Sequence, residues 1–386
     1  MPLFVLAHFG HHLLTALPIP LSPYIRDGFA LDYTQAGWVV GTFNLAYGIG
    51  QLPAGWVADR IGPRIVITIG ICGVAVAGFL VGLSQTYIMA LVFLALMGIA
   101  GGGYHPAAPP VVSSSVGLEK RGRALGLHMI GGSASFFLAP IIAAAIAAVW
   151  GWRGSFIGLA IPAMVFGVVL YVLMGRRGIG KKAADRITVS EGEAPAQPGR
   201  WRRLVWFIIL STGTQAVVFS TLAFIPVFLV DYFGISKEAA AASVAYIYAP
   251  GLLVGPLAGY LSDRLGRVPL ILAVCFMAGP LIYLLNLVPY GPYGIGSAVL
   301  LVLFGVFLYV RMPVSEAYIV GQAPERHRST ILGIYYFSAM EGGGVLAPVM
   351  GYLIDKLDFY TSFTIAAAVV LGVTLICSIF LWGDRG

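Results

Sequence analysis

Apolar residues along this chain come in long, nearly uninterrupted runs, and polar residues are confined to the gaps between them. Twelve runs stand out, at 3–25, 33–57, 64–83, 87–112, 123–149, 153–174, 203–230, 239–260, 268–287, 294–318, 329–354 and 359–382. A helix needs about 20 mostly apolar residues to cross a bilayer, and each run is about that long or longer. Strands of a membrane barrel would instead show about ten residues of alternating polarity. The pattern predicts an all-α membrane protein with twelve transmembrane helices.

The polar gaps add an organisation. One gap, 175–202, is far longer than the others and holds Arg176, Arg177, Lys181, Lys182, Arg186, Glu191, Glu193, Pro195 and Pro198. It reads as a charged cytoplasmic linker between two six-helix bundles, 1–174 and 203–386. The two halves repeat. Gly55-Trp-Val-Ala-Asp59-Arg60-Ile-Gly62 follows the second run, and Gly259-Tyr-Leu-Ser-Asp263-Arg264-Leu-Gly266 follows the eighth at an offset of 204 residues. His105-Pro106 recurs as Met312-Pro313, and Ala139-Pro140 as Ala347-Pro348, at offsets of 207 and 208. Two similar bundles can rock about a central site and open it to each side in turn. Lysine and arginine set the orientation. With both termini cytoplasmic, 18 of the 23 basic residues face inward, and Arg26, Arg153, Lys237 and Lys356 face outward. That asymmetry predicts cytoplasmic termini, in a bacterial inner membrane.

Composition agrees with a lipid-embedded chain and excludes several other classes. Hydrophobic residues make up 59% and charged residues 10%, against about 25% charged in soluble domains. The net charge of +7 is spread over the short loops, so it is a topology signal and not a nucleic-acid surface. The first run lacks a basic leader and a small-residue cleavage site, and is expected to be a retained helix. Cys72, Cys275 and Cys377 lie in apolar runs without metal-ligand spacing, so neither a disulfide framework nor a cysteine metal site is expected. No glycine-rich segment ends in Gly-Lys-Ser/Thr, which argues against ATP-driven transport. No nucleophile–base set suggests an enzyme, and no cofactor is expected.

The G-x-x-x-D-R-x-G loop, found twice at matching places among twelve helices, identifies the chain as a member of the major facilitator superfamily. Within it, the chain most resembles the fosmidomycin-resistance type of drug exporters. His8-Phe9, Gly101-Gly102-Gly103-Tyr104-His105-Pro106 and Arg121-Gly122-Arg123-Ala124-Leu125-Gly126 carry that resemblance. It implies a secondary transporter that moves a small organic solute by proton-coupled antiport, as a monomer. It also implies gating by the Asp-Arg loops: Asp59, Arg60, Asp263 and Arg264, meeting Arg121, Arg123 and Arg328, would hold the cytoplasmic side shut. A carboxylate there can also accept from the free N–H groups of a helix N-terminus.

Ionisable residues inside apolar runs are costly, so each is a functional candidate. Arg311 lies in the tenth run and needs an anionic partner, either a carboxylate or a substrate. Glu341, within Met340-Glu341-Gly342-Gly343-Gly344, is the deepest carboxylate and a candidate proton carrier. Glu316, five residues after Arg311, does not share its helix face and is expected to pair elsewhere. Alternatively, Arg311 and Glu341 form a permanent structural bridge. His8, His11, His12 and His105 also fall in apolar runs, and are candidates for substrate or proton contact. The four-residue spacing of His8 and His12 suits a metal, but no Cys, Asp or Glu in that run completes a site, so no metal is assigned. His128, near a helix end, is read as structural. Gln215, Asn44, Gln51, Tyr47, Tyr104, Tyr246 and Tyr248 complete the polar lining of a cavity. An organic-anion carrier is the rival transport reading, and a non-transporting receptor or scaffold the rival from another class.

Overall fold

A computed structural model gives the architecture. It describes residues 2–117, 120–178, 199–288, 294–323 and 328–383. Most of the expected linker, and the side chains of Arg328 and Glu341, lie outside the described residues. The helices are α1 (Pro2–Thr15), α2 (Ser22–Phe29), α3 (Tyr33–Ile61), α4 (Pro63–Leu83), α5 (Tyr87–Gly102), α6 (Tyr104–Ser114) and α7 (Arg121–Arg176). They continue with α8 (Arg200–Asp231), α9 (Lys237–Tyr248), α10 (Val254–Leu265), α11 (Arg267–Leu284), α12 (Ile295–Gln322), α13 (Arg328–Lys356) and α14 (Phe359–Leu381).

Eight helical spans among the described residues are long and apolar enough to cross a membrane. The difference from twelve runs has local causes. The first run is divided into α1 and α2 at 16–21, where Pro18 and Pro20 withhold backbone donors. The eighth is divided into α9 and α10 by a short 3-10 segment, Ala249–Leu252, that contains Pro250. The fifth and sixth runs form one element, α7, with a non-helical Gly151 inside it. The second run forms the 29-residue helix α3, whose apolar stretch is diluted by Asn44, Gln51 and several glycines.

The internal repeat has a backbone counterpart. Gly62 ends α3 at φ 94°, ψ 139°, and Gly266 ends α10 at φ 91°, ψ 146°. Both lie in the positive-φ region that a side chain disfavours, which explains why each copy of the loop motif ends in glycine. Pro63, at the first helical position, then starts α4 where a missing N–H costs nothing.

Three apolar cores hold the molecule. The largest draws on residues 204–381 together with Ile19, Ala36 and Val40. The other two consist of buried residues between Phe4 and Met174. The principal bridges between these regions are α3 against α13 and α7 against α9. The α3–α13 contact is a backbone approach. A Cβ on Gly37 would fall 2.6 Å from the Ala347 carbonyl oxygen, and one on Gly41 2.6 Å from that of Gly344. These contacts lie in the first half of α3, away from the Asp-Arg loops. At the loop-bearing end, α6 and α10 have their main neighbours within their own regions. Among the described residues, the halves therefore meet at one end and part towards the other.

Polar contacts reinforce the end where they meet. Arg26 pairs with Asp231, and Lys237 with Asp27. Tyr33 Oη donates to Asp231 at 2.7 Å, and Tyr24 Oη to Glu238 at 2.6 Å. Asp355, near the end of α13, accepts from the Tyr33 and Thr34 N–H groups at 2.9 and 2.8 Å and from Thr34 Oγ1 at 2.6 Å. A carboxylate thus caps the N-terminus of α3, where free donors and the helix dipole favour it. Of the residues expected to face outward, Arg26 and Lys237 take part in these contacts, whereas Arg153 bonds the Ser84 carbonyl and Lys356 lies over Tyr352.

Candidate functional site

The candidate residues fall into two groups, one on each side of the contact zone. The first is built on α1. His8, His11 and His12 point inward and are 1%, 0% and 6% exposed. Gly131 and Gly132 of α7 let α1 approach, since a Cβ on Gly132 would lie 2.7 Å from His8 Nε2. His105 comes from the first turn of α6, and His128 from α7. The His8 ring stacks on His128 with centroids 4.3 Å apart, and His11 on Tyr104 at 4.3 Å. His105 meets His8 at 5.3 Å and His12 at 5.2 Å.

Hydrogen bonds assign the histidine tautomers. A carbonyl oxygen only accepts, so a ring nitrogen bonded to one carries the proton. His8 Nδ1 donates to His128 O at 2.9 Å, His11 Nδ1 to Gly70 O at 2.9 Å, and His128 Nδ1 to Phe4 O at 3.0 Å. The opposite nitrogens of these neutral rings are acceptors. Tyr47 Oη satisfies His11 Nε2 at 2.9 Å. His8 Nε2 and His128 Nε2 are buried with no hydrogen-bond partner among the described residues. His12 Nδ1 bonds Thr15 Oγ1 at 2.9 Å. Ligand nitrogens of His8, His12 and His105 lie within 4.8 Å of one another.

The second group surrounds Arg311 on α12, which is 4% exposed. Its Nη1 donates to Ser211 Oγ at 2.7 Å, Tyr335 Oη at 2.9 Å and Ser211 O at 3.4 Å. All three acceptors are neutral. Ser211 Oγ also bonds Ser315 Oγ at 2.9 Å. Arg311 Nε is buried without a hydrogen-bond partner among the described residues. Glu316 lies beside Tyr336 and also interacts electrostatically with Arg311. Aromatic residues run from the first group across to α9: His12 packs on Phe136 at 4.5 Å, and Phe136 on Tyr248 at 4.9 Å. Tyr309 of α12 lies near Ser133 of α7 in the same zone.

Several expectations need correction. His105 and Arg311 do not form one constellation; each belongs to its own group. His128 is integral to the histidine cluster. Tyr104 is fully buried with its hydroxyl unpartnered among the described residues, and Asn44 Nδ2 is spent on Val40 O at 2.9 Å. Gln215 Oε1 is buried and also unpartnered. Neither Asp59 nor Asp263 takes part in an ion pair among the described residues; both are exposed, while Arg60 lies over Trp56 and Arg264 over Tyr260. Arg123 is exposed, and Arg121 Nε has no hydrogen-bond partner among the described residues. Sequence reasoning passed over Ser211, Tyr335, Asp231, Glu238 and Asp355. The acidic residues could have been found by reading the outward gaps for carboxylates as well as for Lys and Arg. The hydroxyls carry no such signal.

Comparison with known proteins agrees with this fold. A probable L-galactonate transporter of Escherichia coli (strain K12) is 26% identical over 274 residues, which is 66% of this chain and 60% of that protein. A probable sulfoacetate transporter of Cupriavidus necator is 26% identical over 385 residues, covering 93% of this chain and 88% of the other. The fosmidomycin resistance protein of Escherichia coli (strain K12) is 24% identical over 372 residues, covering 94% and 88%. Among solved structures, a POT family transporter in complex with 5-aminolevulinic acid superposes with a TM-score of 0.82 at 15% identity, over 98% of this chain and 95% of that one. The profile described as Major Facilitator Superfamily matches residues 4–310 and 251–386. The doubled loop, the paired helical halves and these matches lead to one assignment: the chain belongs to the Major Facilitator Superfamily, a family of membrane transporters and not of enzymes.

Proposed function

We propose that this protein is a secondary transporter that carries a small organic anion by alternating access, with Arg311 as the cation that binds it. The observation that carries this reading is the state of Arg311. A guanidinium buried at 4% exposure is bonded to neutral acceptors, and one of its donors is unpartnered among the described residues. Burying an uncompensated charge is costly, and an anion entering the site relieves that cost. L-Galactonate and sulfoacetate, in the names of the two relatives above, are anions. In this reading residues 1–174 and 203–386 are the rocking bundles and 175–202 the cytoplasmic linker. The loop-bearing end is cytoplasmic and open, in a bacterial inner membrane, with both termini on that side and the protein acting as a monomer. The exposed Asp59, Arg60, Asp263 and Arg264, with Arg121, Arg123 and Arg328, close that end in the opposite conformer.

The test is binding of carboxylates and sulfonates to purified protein, comparing wild type with Arg311→Gln. A charge-assisted hydrogen bond is worth about 1.5–3 kcal/mol, or about 10- to 150-fold in affinity. Arg311→Gln is expected to weaken binding by that factor. Equal affinity in the two proteins would sink the reading.

Proton-coupled antiport, as in drug efflux, is the second reading. It is favoured by Glu316, a half-buried carboxyl beside Tyr336 on the helix that carries Arg311, and by Glu341 on α13. Solute-dependent proton release that is lost in Glu316→Gln or Glu341→Gln would support it. Flux independent of the pH gradient would leave anion uniport or exchange.

A further inference from the structure

We infer that His8, His12 and His105 form a binding site for a divalent transition-metal ion of the zinc and cobalt class. In sequence, His8 and His12 lacked a third ligand. The fold supplies one from α6, and the three residues offer ligand nitrogens within 4.8 Å of one another.

The chemistry of each ring selects this trio from the five clustered histidines. A metal-binding imidazole must be neutral, with one nitrogen free and the other held by an outer hydrogen bond. His8 has this arrangement: Nδ1–H is held by the His128 carbonyl at 2.9 Å, and Nε2 is a buried lone pair without a partner among the described residues. His12 Nδ1 bonds Thr15 Oγ1 at 2.9 Å, and when the hydroxyl accepts that bond Nε2 is the nitrogen for ligation. His105 is half-buried, and no hydrogen bond occupies either of its nitrogens among the described residues. His11 is excluded, because Gly70 O and Tyr47 Oη occupy both of its nitrogens. His128 is not part of the close group of ligand nitrogens.

Imidazole ligands suit zinc, copper, nickel and cobalt, whereas magnesium and calcium prefer oxygen. Zinc–nitrogen bonds of about 2.0–2.1 Å in a tetrahedron bring ligand nitrogens to about 3.4 Å. The rings therefore close inward on the ion, which ring rotation allows. Three neutral ligands leave the fourth position of a tetrahedral ion for water or an anion, as in open zinc sites. The site does not depend on the anion reading, since none of its ligands belongs to the Arg311 group.

The experiment uses full-length protein purified without a polyhistidine tag. Cobalt(II) titration, followed by visible absorption and equilibrium dialysis, is expected to show one ion per chain, displaced by zinc. His12→Asn and His105→Gln are each expected to weaken cobalt binding about 100-fold or more. Thr15→Val, which removes only the outer hydrogen bond, is expected to weaken it about 10- to 100-fold. X-ray absorption at the zinc edge of the wild type, which needs no variant to fold, is expected to count three imidazoles. Failure of the wild type to bind cobalt or zinc, full binding in both histidine variants, or a zinc spectrum with fewer than two imidazoles would each overturn the assignment.

Discussion

At the scale of single residues, Arg311 is a buried charge held by neutral partners among the described residues. Ser211 and Tyr335 supply the hydrogen bonds that keep the guanidinium in place. Removing one neutral acceptor leaves a buried donor unsatisfied, at a cost of about 1–3 kcal/mol. Tyr335→Phe is therefore expected to lower the melting temperature of the ligand-free protein by a few degrees. It should also enlarge the stabilisation that a bound carboxylate provides. Thermal melts with and without the carboxylate check both; a variant that melts like the wild type would show that Tyr335 does not support the guanidinium.

Among helices, the decisive contact is the approach of α3 to α13. Gly37 and Gly41 face backbone carbonyls of α13 across less than the width of a methyl group. Backbone cannot yield as a side-chain tip can, so the helices must separate if either glycine gains a Cβ. Gly41→Val is expected to shift the protein away from the conformer closed at this end. A cysteine placed at Thr34, in protein lacking Cys72, Cys275 and Cys377, should then react faster with a water-soluble thiol reagent. Gly55→Ala, with open space around the added carbon, should leave that rate unchanged. Such contacts explain what the sequence revealed and what it withheld. The runs, the repeat and the buried ionisable residues were legible because lipid penalises each exception strongly. Breaks near Pro18, Pro20 and Pro250 were written in the prolines but masked by the apolar residues around them. The pairing of Ser211 and Tyr335 with Arg311, and of His105 with His8 and His12, was not legible. Those partners lie on different helices, and serine and tyrosine are common in any membrane span. That His128 stacks on His8 was not legible either, because position along a helix does not reveal which neighbour it meets.

For the whole molecule, closure rests on exposed polar contacts added to a glycine seam. Exposed pairs contribute about 0–1 kcal/mol each, and the carboxylate at the α3 N-terminus is in the range of helix-end charges, about 0.3–1 kcal/mol. Asp355→Asn is accordingly expected to raise Thr34 cysteine reactivity by a small factor, about 2- to 5-fold, and high salt to raise it in the wild type. The Tyr24 hydroxyl, donating to Glu238, holds this carboxyl below its ordinary value of 4.5. A lowered value means the closed end gains from the ionised form. That gain is fully present above about pH 4.5 and disappears as the pH falls through the lower value of the closed conformer. Closure should thus be constant between pH 6 and 8 and loosen under strong acid, and Glu238→Gln should diminish the acid limb, leaving the part carried by Asp27, Asp231 and Asp355. A reactivity change centred near neutral pH would assign the switch to another group.

The meeting of the halves at one end only has a mechanical corollary. A body that converges at one membrane face and diverges at the other occupies unequal areas in the two leaflets. Exchanging conformers transfers that area from one monolayer to the other. The bilayer's lateral pressure then does work on every transport cycle, in proportion to the area transferred and to the difference in pressure between the leaflets. Crowding the leaflet around the divergent end favours the opposite conformer, so lipid shape enters the energetics of transport without any lipid being bound.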